Sequence, residues 1–458
     1  MTQTPRPFKV EVPDAVLSEL RRKLESARLP GAFDAQSKDP IRYGVNVPLV
    51  SMLREYWLNG YDWRKHEAEL NTFRQFKLSV EGLDVHFIHE RSKVPGAVPL
   101  LLLHGWPGSV WEFHKLIPQL VQPTGRPLRL KQAFHVVAPS LPGYGWSEEA
   151  RTPGMDPARI ARMLDKLMLD LGYDRYVAQG GDWGAVIAKT LAITVPEHCV
   201  ALHVNLVVNR LPVDVSLRSA ALAANMLVDL SPLGALTLSE RDRNALHRLK
   251  EYQTGGSGYF RIQATKPMTL AFGLADSPVG LLAWILEKMQ AWTDGAGNVL
   301  NVLSKDEILT NVMIYYVTNT IASSMRLYYE MAKSPARSQL VSSYVEVPTA
   351  VASFPKEILM VPRRWIALGF NLVRFTEFPE GGHFAAWEQP DMLAQDLRGF
   401  FFKTITFEHA CKLAQQRRAR RDDHVSTDTL VGSVLLLAPA LPLPVVVGVA
   451  AYVLGAKL

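Results

Sequence analysis

Eight short segments with β-strand character recur along the chain and restrict its fold more than any other feature. They are FKLSV (76–80), DVHFIHE (84–90), VPLLLLHG (98–105), FHVVAPSL (134–141), RYVAQGGD (175–182), VALHVNLVV (200–208), TAVASFP (349–355) and NLVRFTEFP (371–379). From the third onward they are apolar runs bounded by glycine, proline or polar turns, which is typical of strands buried on both faces of a parallel sheet. Segments with helical periodicity, such as PARIARMLDKLMLDLG, lie between them. The pattern predicts an α/β fold with an eight-stranded, mostly parallel sheet.

The sixth and seventh predicted strands are separated by about 140 residues, which is far too long for a loop. The intervening sequence is mostly helical in pattern, as in LLAWILEKMQAWTD (281–294). We therefore predict an inserted helical cap over the carboxyl ends of the strands, where ligands bind in such sheets. The predicted division is an N-terminal arm (1–75), a first part of the core (76–209), the cap (210–347), a second part of the core (348–408), and a basic linker with an apolar tail (409–458).

The cysteines and the N-terminal segment indicate a reducing compartment. Cys199 and Cys411 are far apart in the sequence, so they suggest neither a disulfide framework nor a zinc site. The opening segment MTQTPRPFKVEVPDAVLSEL has no apolar stretch of the kind found in secretory signals. We expect the protein in the cytoplasm or on the cytoplasmic face of an internal membrane.

The apolar tail suggests membrane association. Residues 430–456 contain no charged residue, and 27 residues are enough to span a bilayer. Because Pro439, Pro442 and Pro444 interrupt this segment, a kinked span, a shallow hairpin and a tail folded onto protein all stay open. The net charge of +6 is not arranged as a stripe, and its densest run, QQRRARR (415–421), precedes the tail. Membrane phosphates are therefore expected as partners rather than nucleic acid.

The segment GGDWG places Asp182 at a strand-to-helix turn written G-x-D-x-G. In many hydrolases the same elbow, G-x-S-x-G, carries a serine nucleophile. A carboxylate cannot simply replace serine in acyl transfer, so the turn indicates a different reaction and disfavours a serine esterase. An aspartate after two glycines is often only a helix cap, and the interpretation therefore depends on the other loops.

Three further loops follow predicted strands. HGWPGS (104–109) can direct the backbone N–H of Trp106 toward the elbow, where the N–H of Trp183 would complete a two-donor oxyanion hole. Glu357 follows the seventh strand, and His383 follows the eighth in a Gly-Gly loop. The order of nucleophile, acid and histidine along the chain is that of the α/β hydrolases. Each residue alone has a structural explanation, but their joint placement at strand ends favours catalysis.

From about residue 5 to residue 405 the chain resembles the microsomal-type epoxide hydrolases. The similar segments, beyond the HGWPGS and GGDWG motifs, are REYWLNGYDWRKHEAELN in the arm, GYFRIQATKP, LADSPVGLLAWILEK and LTNVMIYYVTNTIASSMRLYYE in the cap, and GGHFAAWEQP around the histidine. The resemblance implies the α/β-hydrolase fold and an enzyme that converts an epoxide and water to a vicinal diol without a metal or cofactor.

The resemblance also implies a role for each candidate residue. Asp182 would attack an sp³ carbon of the epoxide, and water activated by His383 and Glu357 would then hydrolyse the resulting ester. Two cap tyrosines, Tyr259 and Tyr328, would donate to the epoxide oxygen, although the adjacent Tyr329 leaves the second assignment open by one position. Because the cap is rich in Leu, Phe, Trp and Tyr, an apolar aryl, alkyl or fatty-acid epoxide is expected.

Two other functions stay open from the sequence. A dehalogenase uses similar residues on this fold but needs halide-binding donors in place of the tyrosine pair. A catalytically inactive, membrane-docked binding protein would use the fold as a scaffold, and the intact set of Asp182, Glu357 and His383 argues against it. Diol formation, halide release and covalent trapping of substrate distinguish the three.

Overall fold

The central element is a nine-stranded sheet. A computed structural model of the protein describes residues 4–31, 43–123, 132–208, 217–231 and 233–427. The strands of the described residues are β1 (Arg6–Phe8), β2 (Gln75–Val80), β3 (Leu83–Glu90), β4 (Val98–Leu103), β5 (Phe134–Pro139), β6 (Tyr176–Gly180), β7 (Cys199–Val204), β8 (Val345–Ser353) and β9 (Phe370–Glu377). Their order across the sheet is β1-β2-β3-β5-β4-β6-β7-β8-β9. The pairs β1–β2, β2–β3 and β3–β5 are antiparallel, and the other five pairs are parallel, so the sheet is mostly parallel.

The expected fold class is confirmed, but the predicted number of eight strands is wrong. All eight predicted segments form strands, and β1 is a ninth, which pairs antiparallel with β2 and sets Arg6 opposite Lys77. A strand of three residues, one of them Pro7, is too short to show an alternating pattern. The arm thus contributes an edge strand to the sheet.

Helices surround the sheet and form the cap. In the described residues the arm has α1 (Asp14–Glu25), α2 (Val47–Asn59) and α3 (Trp63–Leu70), and the core has α4 (Leu116–Val121), α5 (Pro157–Asp170), α6 (Asp182–Thr194), α16 (Arg363–Gly369), α17 (Ala385–Glu388), α18 (Pro390–Gly399) and α19 (Phe407–Thr427). Between β7 and β8 lie α7 (Leu217–Asp229), α8 (Gly234–Thr237), α9 (Glu240–Glu251), α10 (Gly258–Thr265), α11 (Pro267–Asp276), α12 (Pro278–Trp292), α13 (Lys305–Thr318), α14 (Ile321–Lys333) and α15 (Arg337–Ser342). Short 3-10 turns at Val110–Phe113 and Val299–Asn301, and π turns at Tyr252–Gly256 and Phe400–Thr404, complete the set.

Strand β4 shows why the predicted strands read as unbroken apolar runs. Leu101 and Leu103 face a cluster that includes the arm, the cap, α5 and α6. The alternate residues Leu100 and Leu102 face a second cluster with α4, α18 and α19. Since successive side chains of a strand point to opposite faces, burial on both faces requires an apolar residue at every position.

The arm joins the sheet to the cap. The hydroxyl of Tyr56 on α2 donates to Asp306 Oδ1 of α13 at 2.7 Å, and the Tyr61 hydroxyl lies 2.9 Å from Thr310 Oγ1 of the same helix. Strand β1 meanwhile extends the sheet. The arm therefore contacts both the core and the cap.

The tail predicted to associate with a membrane, residues 430–456, lies outside the described residues. Helix α19 carries the start of the basic linker. In the described ranges no single helix has the length and hydropathy needed to cross a membrane. Helices α11 and α12 meet such a criterion only as a pair bent by 118°, on length and composition alone.

Candidate active site

Asp182 sits on a strained turn between β6 and α6. Its φ of 47° lies in the left-handed region, which is rare for residues other than glycine. Glycines on either side allow the turn: a Cβ at Gly180 would overlap the backbone of Gly184, and a Cβ at Gly184 would overlap the carbonyl oxygen of Leu103. The local sequence therefore brings β6 and α6 close together and places Asp182 just beyond the carboxyl end of β6.

The loop after β4 supplies a donor to this carboxylate. The backbone N–H of Trp106 donates to Asp182 Oδ1 at 2.8 Å. Gly105 leaves room for that contact, because a Cβ there would overlap the Asp182 side chain. Trp183 follows Asp182 in the first turn of α6, where helical N–H groups lack intrahelical acceptors. The predicted oxyanion-hole residues thus both lie beside the carboxylate.

His383 lies between two carboxylates. Its Nδ1 is 2.7 Å from Glu357 Oε1, and its Nε2 is 3.4 Å from Asp182 Oδ2. Glu357 is fully buried, and its Oε1 also accepts from the backbone N–H of Ile358 at 2.7 Å. Burial disfavours the imidazolium, but the charge of Glu357 and the contact with Asp182 outweigh it and raise the pKa of His383 well above its usual value. The three predicted residues therefore form one connected group.

The cap fixes the position of the histidine loop. The backbone N–H of His383 donates to the carbonyl oxygen of Trp292, the last residue of α12, at 2.9 Å. Glu388 accepts from the N–H of Asp294 at 2.7 Å and from that of Phe384 at 3.1 Å. Burial raises the pKa of Glu388 to about 7. Core and cap are thus hydrogen-bonded at the catalytic loop itself.

Tyr259 on α10 and Tyr328 on α14 face the same space. Their ring centroids lie 5.8 Å apart, and the Trp106 indole stacks on Tyr259 at 5.2 Å. The rings of Tyr328 and Trp183 are nearly perpendicular, with centroids 4.8 Å apart, and the buried Tyr328 hydroxyl has no hydrogen-bond partner among the described residues. Tyr329 is 37% exposed and is not among the described residues that line the cavity, so of the two adjacent tyrosines it is Tyr328 that faces this space.

Burial raises the pKa of both tyrosines well above the usual value for phenols. They therefore stay protonated at neutral pH and can act as hydrogen-bond donors. A protonated phenol can stabilise an oxygen on which negative charge develops, because it donates a hydrogen bond to that oxygen.

Sequence reasoning did not identify Tyr252, Lys288 or Glu112. The Tyr252 hydroxyl lies 3.0 Å from that of Tyr259, and Lys288 Nζ lies 4.5 Å from the centre of the Tyr259 ring. Glu112 is buried next to the group formed by Asp182 and His383. None of them follows a strand or belongs to a catalytic motif. The position of Tyr252 seven residues before Tyr259 is the only sequence signal, and it is weak.

A cavity of about 330 Å³ opens in front of Asp182, between core and cap. Its wall is mainly apolar, with aliphatic and aromatic side chains such as Val186, Leu206, Met226 and Phe260. The hydroxyl-bearing side chains of Tyr252, Tyr259 and Tyr328 also line it. The arrangement can hold an apolar molecule with one polar centre between a carboxylate and several phenols.

The sequence and the fold are similar to those of known proteins. The chain matches the family models for the epoxide hydrolase N terminus over residues 5–113 and for the alpha/beta hydrolase fold over residues 98–390. A putative epoxide hydrolase from Stigmatella aurantiaca is 41% identical over 396 residues, which cover 86% of this chain and 84% of that protein. Epoxide hydrolase 1 from Sus scrofa is 40% identical over 412 residues, with coverage of 86% and 88%. The solved structure of Aspergillus niger epoxide hydrolase is similar with a TM-score of 0.75 and 33% identity, covering 88% of this chain and 97% of that one.

Fold and site together define a cap-bearing α/β hydrolase with an aspartate at the elbow. Given the similarities over most of its length, the chain belongs to the microsomal-type epoxide hydrolases. The protein is thus an enzyme that hydrolyses epoxides. The dehalogenase and the catalytically inactive binding protein, both open from the sequence, are set aside.

Proposed function

We propose that the protein converts apolar epoxides to vicinal diols in two steps, through an alkyl ester on Asp182. The observation that carries this proposal is the position of one carboxylate between the Trp106 N–H and His383 Nε2, at the edge of a cavity that two cap phenols line. An attacking group, a base and donors for the leaving oxygen are thus present within one site.

In the first step Asp182 attacks an epoxide carbon and the ring C–O bond breaks. The carboxylate needs no base for this attack, because aspartate is ionised at neutral pH. Negative charge develops on the departing oxygen, and a dry pocket makes that charge costly unless donors face it. The hydroxyls of Tyr259 and Tyr328 would donate to it and supply its proton. The free hydrogen-bonding capacity of the Tyr328 hydroxyl supports this role.

In the second step water cleaves the ester at the carbonyl carbon of Asp182. His383 would take a proton from the water, and Glu357 would orient the ring and stabilise the imidazolium. The N–H of Trp106, already 2.8 Å from Asp182 Oδ1, would stabilise the oxyanion, with the N–H of Trp183 as the second donor. The bond between the carbonyl carbon of Asp182 and the alkyl oxygen then breaks, and that oxygen takes the proton from His383 to release the diol. The proton left on the Asp182 carboxyl returns to the tyrosine that gave one in the first step, which restores Asp182.

The substrate class follows from the cavity. Its apolar wall and its volume of about 330 Å³ suit an aryl or alkyl epoxide such as a styrene-type oxide. The reacting ring would lie at the Asp182 end, where the polar groups converge.

A single turnover in ¹⁸O-labelled water tests the mechanism. Excess enzyme is mixed with a styrene-type epoxide, and the diol and the peptide containing Asp182 are analysed by mass spectrometry. We expect the first diol to carry unlabelled oxygen and the label to appear on Asp182. If the diol is labelled at once and Asp182 is not, water attacks the epoxide directly and the ester mechanism is wrong.

A further inference from the structure

A second, much smaller cavity also borders Asp182. Its volume is about 20 Å³, and among the described residues only Asp182 lines both this cavity and the large one. A space of this size holds one water molecule, for which 10–15 Å³ is about the minimum. It extends from the elbow to His383 and to the loop after β4. A molecule held here would therefore contact the Asp182 carboxylate and the His383 imidazole without occupying the large cavity.

The wall of this small cavity carries hydrogen-bonding groups in a buried setting. Gln179 is 1% exposed; its Nε2 donates to Asn205 Oδ1 at 3.0 Å, while its Oε1 has no partner among the described residues. Buried acceptors are rarely left unpaired in native proteins. Gln179 Oε1 and the imidazole of His383 thus provide polar partners for a water molecule.

Glu112 completes the wall. It lies on the 3-10 turn Val110–Phe113, and its carboxyl occupies the space next to Gly108, where a Cβ would overlap Oε1. Burial raises the pKa of this carboxyl to about 8; the nearby Asp182 adds to the rise and His383 opposes it. A neutral carboxyl still offers a carbonyl oxygen as acceptor. Besides a hydrogen bond with the backbone of Ser109, no ion pair of the described residues accounts for the burial of this carboxyl.

We propose that the small cavity is the binding site of the hydrolytic water and that Glu112 is a positioning residue for it. This inference rests on the two-step mechanism proposed above. The water donates one hydrogen bond to Glu112 and gives its other proton to His383 Nε2 as its oxygen bonds to the ester carbon of Asp182. The bond between the carbonyl carbon of Asp182 and the alkyl oxygen then breaks, and that oxygen takes the proton from His383. The second proton of the water, left on the new Asp182 carboxyl, returns to the tyrosine that protonated the ring oxygen, so both groups are restored. Glu112 ends the cycle unchanged.

Two substitutions at the same position test the role of Glu112. Glu112→Met removes the acceptor at similar volume, and Glu112→Gln, the matched control, keeps a carbonyl oxygen there. Formation and decay of the alkyl-enzyme are followed by rapid quenching and intact-protein mass spectrometry. For Glu112→Met we expect ring opening within about 2-fold of wild type and ester hydrolysis slower on the order of 10- to 100-fold. Glu112→Gln should hydrolyse the ester at close to the wild-type rate.

Steady-state kinetics provide a readout that a purely structural defect would not move. When only ester hydrolysis slows and becomes rate-limiting, kcat and KM fall by the same factor and kcat/KM stays constant. Three results would overturn the positioning role. In Glu112→Met, ring opening could slow as much as ester hydrolysis, or ester hydrolysis could keep the wild-type rate. In the third, Glu112→Gln hydrolyses the ester as slowly as Glu112→Met. Failure of the ester mechanism itself is distinguishable, because then no alkyl-enzyme forms in any variant.

Discussion

His383 Nε2 lies 3.4 Å from Asp182 Oδ2, close enough for an ion pair in the free enzyme. The opposite nitrogen of the ring contacts the buried Glu357. One histidine therefore faces two carboxylates, and esterification of Asp182 would remove the charge of one of them. The attacking group and the base thus influence each other, which leads to predictions for both steps.

Replacing the base should separate the two steps. In His383→Gln, Asp182 can still attack the epoxide, but the ester loses the group that activates water. We expect turnover to fall by a factor on the order of 10² to 10⁴, while intact-protein mass spectrometry shows one substrate mass added. Asp182→Asn is the control and should show no added mass. An unmodified His383→Gln protein after incubation with epoxide would contradict the prediction.

Ester hydrolysis should lose rate as the pH falls. The carboxylates of Glu357 and Asp182 raise the pKa of His383 in the free enzyme, so the protonated ring is favoured there. Esterification neutralises Asp182, which lowers the pKa of His383 and frees the neutral base. Below that pKa the ring stays protonated and hydrolysis slows, whereas ring opening does not need a neutral histidine. Single-turnover experiments should therefore show more accumulated alkyl-enzyme at acid pH; equal accumulation at all pH values would rule this out.

Two adjacent tyrosines on α14 offer a matched pair of substitutions. Tyr328 lines the cavity and is buried, whereas Tyr329 is partly exposed outside it. Tyr328→Phe should slow ring opening about 100-fold, since one donor to the developing oxyanion is lost. Tyr329→Phe should stay near the wild-type rate. Stopped-flow measurement of alkylation decides between them, and the reverse result would assign the donor to Tyr329.

A side chain at Gly184 should destabilise the tight elbow. A Cβ there overlaps the carbonyl oxygen of Leu103, which belongs to the adjacent strand and cannot turn away. Gly184→Ala should lower the free energy of unfolding by about 1–3 kcal/mol. Gly273→Ala on α11 is the control, because a Cβ there meets nothing within 4 Å, and it should stabilise by about 0.4–1 kcal/mol. Urea unfolding of both variants measures the difference; equal effects would show that the close contact is unimportant.

Much of this arrangement can be predicted because strand ends are recognisable in the amino-acid sequence. Apolar runs such as VPLLLLHG predict buried parallel strands, and the loops after parallel strands lie at one edge of a sheet. Asp182, Glu357 and His383 follow such strands, so the sequence alone predicts their proximity, while their roles stay predictions. The cap tyrosines have no comparable local signal, and only the family resemblance points to Tyr259 and Tyr328.

The features that sequence reasoning missed depend on three-dimensional packing. Glu112 occupies the space beside Gly108, a relationship that neither residue reveals in the sequence. Tyr252 reaches Tyr259 across a π turn, which has no clear sequence pattern. Strand β1 is too short for periodicity, and its pairing with β2 depends on how the arm folds back.

Lys189 should make the folded protein more stable as the pH rises above about 7. It lies on α6, the helix that begins at Asp182, and its buried Nζ donates to the carbonyl oxygens of Val208 and Val341, both at 3.1 Å. Val208 precedes the cap and Val341 is close to its end, so the Lys189 side chain hydrogen-bonds to the chain near both ends of the cap. Burial lowers the pKa of Lys189 to about 7. In the unfolded chain a lysine has a pKa near 10.4.

Between these two values the unfolded chain binds more protons than the folded protein, so this lysine makes the protein more stable as the pH rises. Below about pH 7 the lysine is charged in both states, and the full cost of burying the charge applies. The free energy of unfolding of wild type relative to Lys189→Met should rise by roughly 1 kcal/mol per pH unit from pH 7 to 10. Urea unfolding of both proteins across this range measures the difference. The other titrating groups are the same in both proteins, so their contributions to the pH dependence cancel. A difference that does not change with pH would mean that Lys189 stays charged in the folded protein.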